Sequence, residues 1–97
     1  MLSSELFLGL DVGTTAVKAS CLGVDGIVQE QVRTEYPTAF GPGGRVTQKP
    51  VDWWDAAKQC LQQLSADRRA RITGIAVSSH APTLLGVAED GTPLMDA

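Results

Sequence analysis

Hydrophobic and polar residues along this chain change period twice, and each change marks a different kind of element. Leu6 to Val12 is a short apolar run closed by Gly13, and Ala16 to Val24 resumes with Val17, Ala19, Cys21 and Gly23 on one face, so two adjacent strands are predicted. Asp25-Gly26 between apolar flanks favours a tight hairpin, because glycine accepts a positive φ at little cost. A third strand then starts at Ile27 and continues through Val28, Val32 and Tyr36, which makes residues 6–36 a three-strand antiparallel meander. From Pro37 to Lys49 the alternation stops, and Gly41, Pro42, Gly43 and Gly44 mark an irregular crossing segment.

Pro50 suits the first position of a helix, where its missing N–H costs nothing, and Asp52 adds negative charge to the first turn. Trp54, Ala57, Leu61 and Leu64 recur at spacings of three, four and three, with Trp53 widening the stripe, so a helix of three to four turns follows. After the basic connector carrying Arg68, Arg69 and Arg71, Ile72 to Val77 reads as a buried strand running into Ser78, Ser79 and His80. Thr83 to Val87 reads as a further strand before a turn at Asp90-Gly91. The fold class is α/β: strands first, then a helix, then a strand.

Composition narrows the function classes more than it names one. A hydrophobic fraction of 43% with 20% charged residues suits a globular chain. At 97 residues it makes one modest core. A net charge of −3 with one small arginine cluster argues against a nucleic-acid partner. No apolar run approaches the roughly 20 residues needed to span a bilayer, and the N-terminus lacks a positive region ahead of its apolar stretch, so no membrane partner and a cytoplasmic location are expected. Cys21 and Cys60 lack metal-ligand spacing and read as reduced core thiols.

The chemistry-bearing segment is Leu8-Gly9-Leu10-Asp11-Val12-Gly13-Thr14-Thr15. A carboxylate at a strand end suits a hydrated Mg²⁺, which prefers oxygen ligands and keeps several waters. Gly13 lets the backbone approach a phosphate, Thr14 and Thr15 offer amide and hydroxyl donors, and Lys18 adds a point charge. Neither GxxxxGK[ST] nor GxGxxG between strand and helix occurs, so the commoner nucleotide signatures do not apply. At the other end, Ser78-Ser79-His80 closes a strand, where ligands collect in open α/β sheets. His80 is the single histidine.

Three blocks, LGLDVGTTAVKA, TQKPVDWWDAA and ITGIAVSSHAPTLLGVAEDGTPL, resemble in order and spacing the opening segment of the FGGY carbohydrate kinases. That family lies within the larger ribonuclease-H-like group of actin, hexokinase and heat-shock-chaperone ATPases. The resemblance spans essentially the whole chain and implies a partial N-terminal kinase domain over residues 1–97, with the rest of that domain and a second lobe elsewhere. It implies ATP and Mg²⁺ as cofactors, with Asp11, Gly13, Thr14, Thr15 and Lys18 on the phosphates and Asp11 on the metal. Ser78, Ser79 and His80 are then expected on the sugar side. Xylulose-kinase-like members read Gln-Met-His-Gly there; His80 matches, whereas Ser79 and Ala81 depart.

A small sugar or polyol is therefore the expected acceptor, a xylulose-like ketose first, with glycerol or gluconate as alternatives. Family members often carry an acidic residue before the helix proline; Lys49 stands here and has no acceptor for the free amides. The catalytic base is expected beyond Ala97, since Asp52, Asp55 and Asp67 lie on or beside the helix and Asp90 and Asp96 at turns. The isolated chain is accordingly expected to show no useful turnover. Two other readings remain. An actin-like or chaperone ATPase also carries Asp-x-Gly-Thr-Thr, but neither accounts for the Trp-Trp helix and the His80 strand. A non-catalytic remnant would serve as a structural or binding module and self-associate as a homo-oligomer.

Overall fold

The computed structural model describes residues 4–81 and 83–97. Strand β1 (Leu6–Val12) pairs antiparallel with β2 (Ala16–Gly23), and β2 pairs antiparallel with β3 (Val28–Glu35). The meander is thus as expected, except that β3 begins at Val28 rather than Ile27. Gly26 takes φ 78° and Ile27 donates its N–H to Asp25 Oδ1 at 3.0 Å, so the Asp25-Gly26 turn holds Ile27 inside the connection. The segment read as irregular contains a two-rung ribbon, β4 (Ala39–Phe40) against β5 (Val46–Thr47), joined through a helical turn at Pro42–Gly44. Helix α1 (Pro50–Gln63) and a short α2 (Ala66–Ala70) follow, and β6 (Ile72–Ser79) returns parallel to β1. The sheet order is β3-β2-β1-β6.

Helix α1 lies over β2 and β3. Leu6 and Leu8 from β1 meet Val17, Ala19 and Cys21 from β2, and Ala56, Cys60 and Leu64 close the layer from α1. The expected stripe is therefore rotated: Trp53, Ala57 and Leu61 pack at its margin, while Trp54 is 65% exposed with Lys58 Nζ 5.8 Å from its ring centroid. Small residues let the helix settle close to β2, and Cys60 Sγ–H donates to the Val17 carbonyl at 3.3 Å. Both cysteines are free and buried, and burial pushes the Cys21 thiol up, away from reactive thiolate.

Three further expectations need correction. The basic connector is helical: Ser65 Oγ accepts the Arg68 N–H at 3.3 Å, capping α2, and Glu30 ties it to β3 by accepting from Ser65 N–H and Arg68 Nη1. Strand β6 is not buried. Ile75 and Val77 share the core face with Leu8 and Leu10 in register, yet are 58% and 66% exposed, because α1 covers the opposite flank of the sheet. Residues 83–87 form no strand; a single bridge joins Val87 to Pro93 around a turn in which Gly91 has φ 89°. Among the described residues no helix is long and apolar enough to cross a membrane.

The Lys49 cap position is as anticipated: it precedes α1 with no side-chain hydrogen bond to the helix. Lys49→Asp is expected to stabilise the chain by about 1 kcal/mol, through an acceptor for the free amides and a favourable charge at the helix start. The urea midpoint measures it, and an unchanged midpoint would show that the helix start is already satisfied.

Candidate functional site

The turn between β1 and β2 is anchored by hydrogen bonds from its own strands and from distant side chains. Gly13 N–H donates to the Ala16 carbonyl at 2.9 Å, and a Cβ at Gly13 would sit 3.2 Å from that same oxygen, which explains glycine there. The carbonyls that follow are all drawn towards the scaffold. Tyr36 donates its hydroxyl to Gly13 O and its N–H to Thr15 O, the latter at 3.1 Å. Gln48 Nε2 donates to Thr14 O at 2.9 Å. In a planar trans peptide the carbonyl and the following N–H point opposite ways, so the amides of Thr14 and Thr15 face away from Tyr36 and Gln48. Burial first, and then the Asp11 carboxylate, push the Tyr36 phenol up, which keeps it a proton donor.

Two clefts flank this turn. The period-two alternation of β1 and β2 sends Asp11 and Lys18 to the face away from α1, as cross-strand partners. Ser78 of β6 is the parallel partner of Asp11, and these three residues line a cleft of about 360 Å³ with Ser20 and Gln31. Among the described residues no group of three or more His, Cys, Asp or Glu side chains is gathered for a metal. A lone exposed carboxylate beside hydroxyls suits a cation that keeps most of its waters, which is the preference of Mg²⁺.

The second cleft, of about 520 Å³, lies between the turn and the start of α1. Thr14 and Thr15 form one wall, His80 and Thr83 another, and Trp53, Gln48 and Phe40 the rest of the floor and rim. Trp53 donates its indole N–H to Gln48 Oε1 at 2.9 Å and meets the His80 ring edge-on, with centroids 6.2 Å apart and planes at 78°. His80 is held by its own N–H on Val12 O at 2.9 Å, one step past the end of β6. No Asp or Glu side chain lines this cleft among the described residues.

The structure regroups the residues picked out from the sequence. Thr14 and Thr15 stand with His80, whereas Ser78 stands with Asp11 and Lys18. Gly13 joins the two sides, and Ser79 pairs with Val12 on the α1 side of the sheet. Tyr36, Gln48, Trp53 and Thr83 were not singled out as site residues. Gln48 and Trp53 lie within the TQKPVDWWDAA block and Thr83 within the ITGIAVSSHAPTLLGVAEDGTPL block, but neither block gave a hint of the 34-residue reach from Gln48 to Thr14 or of the Thr83 hydroxyl beside the His80 ring.

Comparison with known proteins places the chain in a family. The profile of the FGGY family of carbohydrate kinases, N-terminal domain, matches residues 6–97. The chain is 29% identical over 91 residues to a xylulose kinase of Staphylococcus xylosus, covering 93% of this chain and 19% of the relative. It is 30% identical over 91 residues to a glycerol kinase of Gloeobacter violaceus, covering 93% and 18%. Among solved structures, a gluconate kinase from Lactobacillus acidophilus superposes with TM-score 0.83 at 26% identity, over 97% of this chain and 19% of that one. The chain therefore spans about a fifth of the length of these relatives.

Proposed function

Because this chain belongs to the FGGY family of carbohydrate kinases, we propose that it is the N-terminal part of an enzyme that moves the γ-phosphate of ATP to a hydroxyl of a small sugar or polyol. Its mixed sheet is the corresponding portion of the ribonuclease-H-like fold of those kinases. The observation that carries the reading is the anchored turn: three successive carbonyls are engaged by Tyr36 and Gln48, which leaves the Thr14 and Thr15 amides and hydroxyls as preorganised donors between two clefts. Donors fixed before the reaction stabilise developing phosphoryl charge without reorganising.

In this reading Asp11 would hold hydrated Mg²⁺, with Lys18 and Ser78 beside it, and the metal would neutralise phosphate charge. Gly13 admits the phosphate to the backbone. Thr14 and Thr15 bind its oxygens from the turn, so that the γ-phosphate faces the His80 cleft. There His80 and the amphipathic edge of Trp53 would receive the polyhydroxy acceptor, with Ser79 at the strand end nearby. The base that takes the acceptor proton is assigned to a segment beyond residue 97, and so is the surface that holds adenosine.

Relatives named for xylulose, glycerol and gluconate resemble this chain almost equally, so identity does not choose the acceptor. The His80 match to xylulose-kinase-like members favours a ketopentose. The test is ADP release by the complete gene product with Mg-ATP and each of D-xylulose, glycerol and gluconate. Release that depends on one of them, xylulose first, is the expected result. No release with any acceptor, or release stimulated by unfolded peptide instead, would sink the kinase reading.

A further inference from the structure

The His80 side chain sits in a hydrogen-bond arrangement that decides which ring nitrogen carries the proton. Thr83 Oγ1 lies 2.9 Å from His80 Nδ1 and 3.3 Å from the His80 carbonyl oxygen. A threonine hydroxyl has one proton to give and lone pairs to receive. The carbonyl can only accept, so when the hydroxyl donates to it, Nδ1 must be the donor in the other contact. The reverse choice, with the hydroxyl donating to Nδ1, leaves the carbonyl contact without a proton. Both contacts are satisfied together only when Nδ1 is protonated.

The geometry points to Thr83 as a positioning residue that holds neutral His80 as the Nδ1–H tautomer, so that Nε2 meets a ligand in the cleft as a hydrogen-bond acceptor. Trp53 supports the arrangement from the side: its edge-on contact with the imidazole restricts the ring, and Gln48 in turn fixes the indole. An acceptor nitrogen selects a ligand that brings a proton, and a hydroxyl of a polyol does so where an ether or carbonyl oxygen does not. This last step rests on the kinase reading of the cleft; the tautomer itself does not.

His80 is the single histidine of these 97 residues, and in the complete gene product its ring signals are identified by their loss in His80→Gln. With ¹⁵N-histidine label at about pH 8.5, where an ordinary imidazole is neutral, long-range ¹H–¹⁵N spectra should show a protonated Nδ1 and an unprotonated Nε2. Thr83→Val should shift the proton towards Nε2, and Thr83→Ser, which keeps the hydroxyl, should retain the wild-type pattern. A wild-type ring protonated at Nε2 would overturn the assignment, as would a Thr83→Val spectrum identical to the wild type. Failure of all acceptors in the ADP assay would instead remove the sugar while leaving this spectrum unchanged, so the two failures are told apart.

Discussion

Asp11→Asn in the complete enzyme is expected to lower kcat/KM by on the order of 10²-fold or more while leaving the melting temperature close to that of the wild type. The reason is the separation of the carboxylate from the core. Asp11 is exposed on the face away from α1, and asparagine keeps its shape, so β1 loses no packing. On the proposed reading, what is lost is the negative charge that would hold a hydrated Mg²⁺, for which an amide oxygen is a poor replacement. Part of the activity should return at high Mg²⁺ if the residue holds the metal. Turnover equal to the wild type at ordinary Mg²⁺ would remove Asp11 from the proposed machinery.

The largest effect on stability should come from Leu8→Ala, at about 2–5 kcal/mol. Leu8 is 1% exposed and is enclosed by β2 and α1, so truncation leaves a cavity that neighbouring strands cannot collapse into. Its parallel partner Ile75 provides the control. The two side chains share a face, but Ile75 is 58% exposed, and Ile75→Ala in this chain should cost less than about 0.5 kcal/mol. Urea denaturation of both variants gives the comparison. Equal losses would mean that β6 is covered as well as β1, contrary to the arrangement described.

That pair also shows where sequence reasoning stopped. The meander was legible because β1 and β2 alternate around local turns, and the start of α1 because Pro50 marks it. The apolar alternation of β6 says which side of the sheet Ile75 and Val77 occupy, but not whether a covering layer lies there. For α1, a reading by hydrophobicity favoured Trp54, whereas the close seat on β2 is made by Ala56 and Cys60, whose small volumes matter more than their apolarity. Residues 83–87 carry strand-like side chains without a strand partner, so propensity alone misled. At the site, the Asp-x-Gly-Thr turn was visible as a motif, while the side chains that orient it were not. Tyr36 and Gln48 reach Gly13 and Thr14 across 23 and 34 residues, through contacts that only the folded sheet creates.

The parallel pairing of β6 also sets an order of assembly. Strands β1, β2 and β3 adjoin their neighbours in sequence, so their contacts close short loops, whereas Leu6 finds Ile72 only after the whole intervening chain has crossed the sheet. Loop closure over such a distance costs more entropy and slows the step that needs it. The β1–β2 hairpin that carries Thr14 and Thr15 is therefore expected to close early, with the Tyr36 and Gln48 contacts that orient its turn added once β3 and the segment before α1 are in place. His80, carried past the end of β6, arrives with the last strand, and until then the chain has its hairpin donors but no opposing wall to face them.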